Sequence, residues 1–303
     1  MSDETGRPVG VFAGLSTLDV IQLVERLPRS DEKVAALDVR LAAGGPAANA
    51  AVAFAGLGGA ATLLTRISHD AVGDLVVADL AACGVRVVNA AGAGDATTTV
   101  ASIMVTAATG ERAVVSAVDR GRSAALDRAG ADLFATIAGV DVVLVDSYER
   151  DLSGPLARSA RRAGVPVLLD SGAKKPWTPS QLTGVDCAVV SEAYVPGGPG
   201  AIAADLAGDG VRCGVVTAGA GAVTWWDDPD APNTVPVEHV DAVDTLGAGD
   251  FFHGALAYAL ASHGLTTAGL ARAVPFAVRV AGLSVQEFGS RSWLARLRGE
   301  TSG

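Results

Sequence analysis

Four short apolar runs constrain this chain most: Val140 to Asp146, Val165 to Asp170, Val185 to Val190 and Gly214 to Thr217. Each is rich in Val and Leu, as a strand buried on both faces requires, and helical stretches such as Ala124 to Ala138 and Leu152 to Arg162 alternate with them. This rhythm predicts a parallel sheet flanked by helices, because parallel neighbours need a long crossover and a helix supplies it. Upstream, Val9 to Gly14 and Ala61 to Thr65 read as further buried strands. Val72 to Ala82 reads as a helix stopped at Gly84. There is no solenoid repeat, and the densest Pro/Gly segment, 196 to 200, is too short for a linker. Residues 1–303 are therefore expected to form a single α/β domain.

Between these parts the texture changes. Val85 to Val88, Thr97 to Val105 and Ala113 to Val118 are β-branched, with Thr109-Gly110 as a turn, and Lys33 to Leu41 has β-compatible alternation. Together they predict a small antiparallel β lid from about 33–43 and 85–119, projecting from the main sheet.

Composition narrows the partners. The formal charge of −10 argues against nucleic acid, while a local basic pocket for a nucleotide remains compatible with it. The polar, acidic start of the chain lacks a secretory pattern, and its apolar runs fall well short of the ~20 residues that span a bilayer. Cys83, Cys187 and Cys213 are isolated and show no C-x-x-C spacing, which fits free thiols in a reducing compartment. A cytoplasmic protein without membrane contact is expected.

The chemistry concentrates in Asp244-Thr245-Leu246-Gly247-Ala248-Gly249-Asp250, a loop feeding a helix with an apolar stripe through Phe252, Leu256, Ala259 and Leu260. Glycines at 247 and 249 let backbone N–H groups turn towards an anion, and the helix start adds its positive end. Such a nest stabilises charge on a phosphoryl group in transfer. A carboxylate beside it repels that charge, so Asp250 either works as a general base on a substrate hydroxyl or is an ordinary helix cap. A second cluster, Gly44-Gly45-Pro46-Ala47-Ala48-Asn49, places two glycines before a proline-initiated helix. Asp19, shortly after the first strand, lies where ligands of open parallel sheets bind.

The string D-T-L-G-A-G-D resembles the C-terminal signature of the ribokinase, or PfkB-type, carbohydrate kinases. The G-G-x-x-x-N-x-A run from Gly44 resembles the N-terminal one. The resemblance spans nearly the whole chain and implies a ribokinase-like three-layer sandwich. It also implies an ATP-dependent transfer of a phosphoryl group to a hydroxymethyl group of a sugar or related polyol, with magnesium. In that reading Asp250 is the base, Gly247, Ala248 and Gly249 form the anion hole, and Asp19, Gly44, Gly45 and Asn49 hold the acceptor. The lid is expected to clasp a second copy in a homodimer.

On the nucleotide side, Thr217-Ala218-Gly219-Ala220-Gly221 is similar to the family's T-x-G-x-x-G segment, with the second glycine one position early; a plain hairpin turn fits equally. Trp225 and Trp226 read as packing. Where many members carry N-x-x-E, this chain has Ser191-Glu192-Ala193-Tyr194, as some ketohexokinase-like and sulfofructose-kinase-like members have Ser. Glu192 is then the nearby carboxylate for a hydrated magnesium. Asp244 and the loop after the long helix Leu265 to Gln286 match a potassium site of the family. Alternatives remain: a non-catalytic sugar or nucleotide sensor on the same fold, or a nucleoside kinase. A dinucleotide-dependent oxidoreductase is disfavoured because no G-x-G-x-x-G opens the first βα unit. No obvious Lys/Arg cluster marks a phosphorylated acceptor, although Lys33, Arg112 and Arg120 could converge on one. An unphosphorylated ketose, aldopentose or nucleoside is expected.

Overall fold

The computed structural model describes residues 6–92, 97–117, 137 and 139–297. Nine strands form the large sheet, in the order β13-β12-β11-β10-β9-β8-β1-β4-β5. The strands are β1 (Val9–Ala13), β4 (Ala60–Thr65), β5 (Val85–Asn89), β8 (Val142–Asp146), β9 (Val167–Ser171), β10 (Cys187–Ser191), β11 (Cys213–Ala218), β12 (Gly221–Trp226) and β13 (Asn233–Val235). All neighbours run parallel except β12 and β13, which turn back on β11 at the edge.

The buried strands β1 and β8 serve both faces at once. Phe12 and Leu144 point into one core and Val11, Ala13 and Val143 into the other, so helices must cover each side. One face carries α1 (Pro46–Gly56), α2 (Ala71–Ala82), α6 (Ala248–His263) and α7 (Thr267–Ser284). The other carries α3 (Arg150–Arg162) and α5 (Gly198–Gly208). The short α4 (Thr178–Gln181) and α8 (Trp293–Leu297) complete the helices among the described residues. Helices α1 and α6 approach so closely that a Cβ on Gly254 would stand 2.2 Å from the Ala50 carbonyl oxygen. This contact fixes the start of α6 against the start of α1.

A second sheet has the order β3-β2-β6-β7, from β2 (Thr17–Val24), β3 (Asp38–Gly44), β6 (Thr99–Thr106) and β7 (Arg112–Ser116). It is the lid, with three differences from the sequence reading. Val85–Asn89, expected in the lid, pairs parallel with β4 in the large sheet; its β-branched run is that of a buried edge strand reached through helix α2. The segment 33–37 is irregular, and β3 starts only at Asp38. The strand missed is β2, which pairs with β3 antiparallel and β6 parallel and carries Asp19 in its interior rather than just beyond a strand of the large sheet. A charged residue in mid-strand hid it. The helix expected from Ala124 to Ala138, together with Arg120 and the lid's end at 118–119, falls mainly or wholly outside the described residues.

Candidate active site

The strand order reverses direction at β1, where the chain leaves towards β4 on one side and returns at β8 on the other. Ligands of open parallel sheets bind outside such a point, beyond the carboxyl ends of the strands. A cavity of about 330 Å³ lies there, between the large sheet and the lid. Asp19, Gly45, Asn49, Gly247, Gly249 and Asp250 all line it, so two segments some 200 positions apart in sequence meet at one site. Thr17, Arg112, Ser116 and Tyr148 add further polar groups.

Asp250 stands in the first turn of α6, behind Gly247, which caps the helix at φ +74°. That left-handed conformation suits glycine. Among the described residues the N–H groups of Gly247 and Gly249 meet no acceptor, and that of Ala248 reaches only Thr245 O at 3.4 Å. The helix thus offers free donors and its positive end to the cavity. Asp250 is half-buried. Its carboxyl is pushed up to about 7, by burial first and by the charge of Asp170 second; the Asn49 amide, His253 and Arg112 pull the other way. A carboxylate so placed is a better proton acceptor near neutral pH than a free aspartate.

Asn49 is held from both ends. Its Nδ2 donates to Asp250 Oδ2 at 2.9 Å, and its Oδ1 accepts from Arg291 Nη1 at 3.2 Å. Arg291 also donates to Ala43 O and pairs with Asp79 Oδ2 at 3.0 Å. Asn49 therefore orients the Asp250 carboxyl as well as lining the cavity.

Asp19 is buried, accepts from Thr17 Oγ1 at 2.6 Å, and has its carboxyl raised by burial. Gly44 does not line the cavity. It lies behind Asp19, where a Cβ would come within 2.0 Å of a carboxylate oxygen. Gly45 does line it, at φ +99°, with a Cβ position only 2.2 Å from Leu15 O.

Sequence reasoning passed over three groups beneath this surface. Asp146, fully buried at the end of β8, accepts from Leu15 N at 2.8 Å and Tyr148 N at 2.9 Å, tying the β1–β2 turn to the Tyr148 loop. Gly14 makes room for it, since a Cβ there would meet the carboxylate at 2.1 Å. Burial, above all, raises Asp146 to about 7. Asp170, next to last in β9, stands 3.1 Å from His253 of α6. The available signal was an Asp closing each apolar run, V-V-L-V-D and V-L-L-D, where side chains point out of a parallel sheet towards ligand.

The nucleotide-side candidates lie apart from the cavity, at the ends of β10 and β11. Ser191 Oγ donates to Gly172 O at 3.3 Å and accepts from Ala193 N at 3.2 Å, and Thr217 Oγ1 donates to Val190 O at 3.4 Å. Gly219 and Gly221 are exposed in the β11–β12 hairpin, with Gly219 at φ +57°. Glu192 is exposed and free to reach a hydrated ion. Asp244 is buried and accepts from Leu246 N at 2.9 Å and Gly289 N at 3.0 Å, clasping the two loops of the expected potassium site. Trp225 and Trp226 are buried; a Cβ on Gly214 would strike the Trp226 ring at 2.3 Å.

The pfkB family carbohydrate kinase pattern matches residues 11–186 and 199–295. The chain is 28% identical to mouse (Mus musculus) ribokinase over 95% of its own length and 94% of the relative's. The fold is similar to that of Arabidopsis thaliana ribokinase complexed with ribose and ATP, with a TM-score of 0.74, 24% identity and 98% and 99% of the two chains covered. It is likewise similar to Giardia lamblia ribokinase, with a TM-score of 0.81, 20% identity and 95% and 96% covered. With both signature segments at one cavity and the match running through nearly the entire chain, this protein belongs to the pfkB family and is a ribokinase-like carbohydrate kinase.

Proposed function

We propose that this kinase transfers the terminal phosphoryl group of ATP to the hydroxymethyl group of a free aldopentose of the ribose type, with Asp250 as general base. The observation that carries the reading is the half-buried Asp250 opening on the same cavity as Asp19, beside the unengaged N–H groups of Gly247 and Gly249. Asp250 takes the hydroxyl proton while the sugar oxygen forms its bond to the terminal phosphorus. The bond from that phosphorus to the bridging oxygen breaks, and ADP leaves with the electron pair. The Gly247, Ala248 and Gly249 amides donate to the migrating group. A positioned base contributes about 10²–10⁴-fold to such a step, and one lost anion-hole donor typically costs about 10²–10³-fold.

The lining supports this acceptor class. Asp19, Thr17, Asn49, Ser116 and Tyr148 present hydrogen-bonding groups to several hydroxyls. Of the three basic residues considered for a phosphorylated acceptor, Arg112 lines the cavity, where its Nη1 donates to Thr245 Oγ1 at 3.0 Å. Lys33 lies on the exposed 33–37 segment. One guanidinium already engaged with the Thr245 loop suits the migrating phosphoryl group better than a second, fixed phosphate.

The nucleotide would lie from the start of α6 towards the ends of β10 and β11, against Ser191, Thr217, Gly219 and Gly221. Magnesium would be held there through water by Glu192 and would supply positive charge to the phosphates. The loops clasped by Asp244 are suited to offer carbonyls to potassium. Cys83, Cys187 and Cys213 are buried and form no disulfide, which fits a cytoplasmic setting, and no helix among the described residues is long and apolar enough to cross a membrane. The lid's outward face fits a second copy of this chain.

An ADP-release assay over aldopentoses, ketoses, sugar phosphates and nucleosides tests this. Ribose or deoxyribose should give the highest kcat/KM, and Asp250→Asn should lose about 10²–10⁴-fold in kcat while still binding sugar. Full turnover in that variant would overturn the assignment of the base. Preference for a sugar phosphate would overturn the acceptor.

A further inference from the structure

Beneath the base lies an ion pair that the transfer reaction as described does not use. His253 sits one turn after Asp250 on α6, and its Nδ1 is 3.1 Å from Asp170 Oδ2 near the end of β9. Both side chains are buried, at 6% and 7% exposure. The other ring nitrogen, Nε2, stands 3.3 Å from Val189 O on β10. A carbonyl and a carboxylate can only accept, so both ring nitrogens face acceptors, and the protonation state that meets both is the doubly protonated imidazolium. The Nδ1 to Oδ2 approach is off-line for a good hydrogen bond, so charge is what joins the pair. One ligand-type atom from each of Asp170, His253 and Asp250 lies within 4.8 Å of the other two.

We propose that His253 is a positioning residue for Asp250: an imidazolium clamped between Asp170 and Val189 that cancels the Asp170 charge directly beneath the base. The inference rests on Asp250 being that base. Without the pair's cation, two carboxylates would share a confined site, and one of them would have to hold a proton. The base would then be disabled in the pH range where the reaction is needed. His253 itself is held above its ordinary value: burial pulls it down, and the charges of Asp170 and then Asp250 outweigh that. The other groups facing the cluster are Asn49 from α1, Arg112 from β7 and Tyr148 after β8, with Asp146 and Lys175 towards Asp170. Asn49 and Arg112 also favour the charged base, but neither is paired with Asp170.

The test compares pH profiles of kcat for the protein, His253→Gln, Asp170→Asn and the double variant, with Asp250→Asn as control. In His253→Gln the acid limb should move to higher pH, so that kcat at pH 6 falls about 10- to 100-fold more than on the alkaline plateau. Removing the Asp170 charge as well should bring the limb back towards its original position. Side-chain ¹⁵N shifts of His253 give a readout free of turnover: doubly protonated at pH 7.5 in the protein, neutral in Asp170→Asn. A neutral imidazole in the unaltered protein, or a limb that stays in place in His253→Gln while the plateau alone drops, overturns the proposal. Full turnover in Asp250→Asn would instead show that the base itself was wrongly assigned.

Discussion

Asn49 Nδ2 lies 2.9 Å from Asp250 Oδ2, joining the first turn of α1 to the first turn of α6 across 201 positions of sequence. The amide is not free to turn, because Arg291 Nη1 occupies its oxygen at 3.2 Å. Asn49 therefore presents N–H to Asp250 and favours its charged form. Asn49→Ala removes that donor and leaves Arg291 with one acceptor fewer. We expect kcat to fall about 10²-fold, at the low end of general-base contributions, with the acid limb displaced to higher pH. Steady-state kinetics from pH 5.5 to 9 measure both.

The unaltered protein should itself show an acid limb near 7, the value to which Asp250 is pushed by burial and by Asp170. A base must be unprotonated to act, so kcat should rise with pH through that value and level off above it. A limb near 4 would mean that the group being titrated is an ordinary exposed carboxylate.

Gly44 and Asp19 make a separate prediction on the acceptor side. The Asp19 carboxylate lies where any Cβ of residue 44 would fall, 2.0 Å from Oδ2. Gly44→Ala must displace the acid from Thr17, whose Oγ1 donates to it at 2.6 Å. KM for the sugar should rise at least about 10-fold, as for loss of one charge-assisted hydrogen bond, with kcat less affected. Gly45→Ala should damage folding more, because its φ of +99° and its closeness to Leu15 O both exclude a side chain. Thermal melts alongside the kinetics separate the two effects.

What the sequence made legible was local. The runs Val142–Asp146 and Val167–Ser171 are apolar along their length because both faces are buried, and that pattern survives without knowledge of partners. The 247–250 turn could be read because glycine spacing and a helix start have their own local chemistry. Asp19 lines the cavity but stands inside a strand rather than beyond one, since β2 is a strand only by virtue of its pairing with β3 and β6. Val85–Asn89 was placed in the wrong sheet for the same reason: a β-branched run does not declare its neighbour. His253 and Arg291 carry no local signature at all. Their roles come from contacts over long stretches of chain, Arg291 with Asp79 across 212 positions among them.

The same burial that tunes Asp250 costs stability, and its sign can be worked out. In the unfolded chain an aspartate loses its proton near 4; in the folded protein Asp250 and Asp146 hold theirs up to about 7. Between those values the folded state binds more protons, so stability falls as pH rises from about 4 to about 7 and stays low above it. Asp250→Asn removes one such group while keeping an oxygen for Asn49 to donate to. The variant should melt higher than the unaltered protein at pH 8 and by a clearly smaller margin at pH 5, each 1 kcal/mol gained appearing as about 2–4 °C for a chain of this general size. Calorimetry at the two pH values checks it, and an equal difference at both would contradict the linkage.

The lid's outward face carries exposed apolar residues. Register places Leu41 beside Val20, Val20 beside Ser102 and Ser102 beside Val115, so these side chains share one face. Val39 and Val100, two residues along their strands from Leu41 and Ser102, lie on it as well. The opposite face, with Ile21, Ala101, Ile103 and Val105, is buried above the cavity. On the outward side Val115 is 73% exposed and Leu41 57%, a contiguous apolar surface of the kind that marks an interface. A second copy laid across it would bury these residues and stiffen the strands that carry Asp19 and Arg112. Val115→Lys combined with Leu41→Asp should therefore give a monomer by sedimentation velocity, with KM for the sugar raised because the lid loses its support. A protein already monomeric at micromolar concentration, with kinetics untouched by the two substitutions, would rule out the lid as the assembly surface.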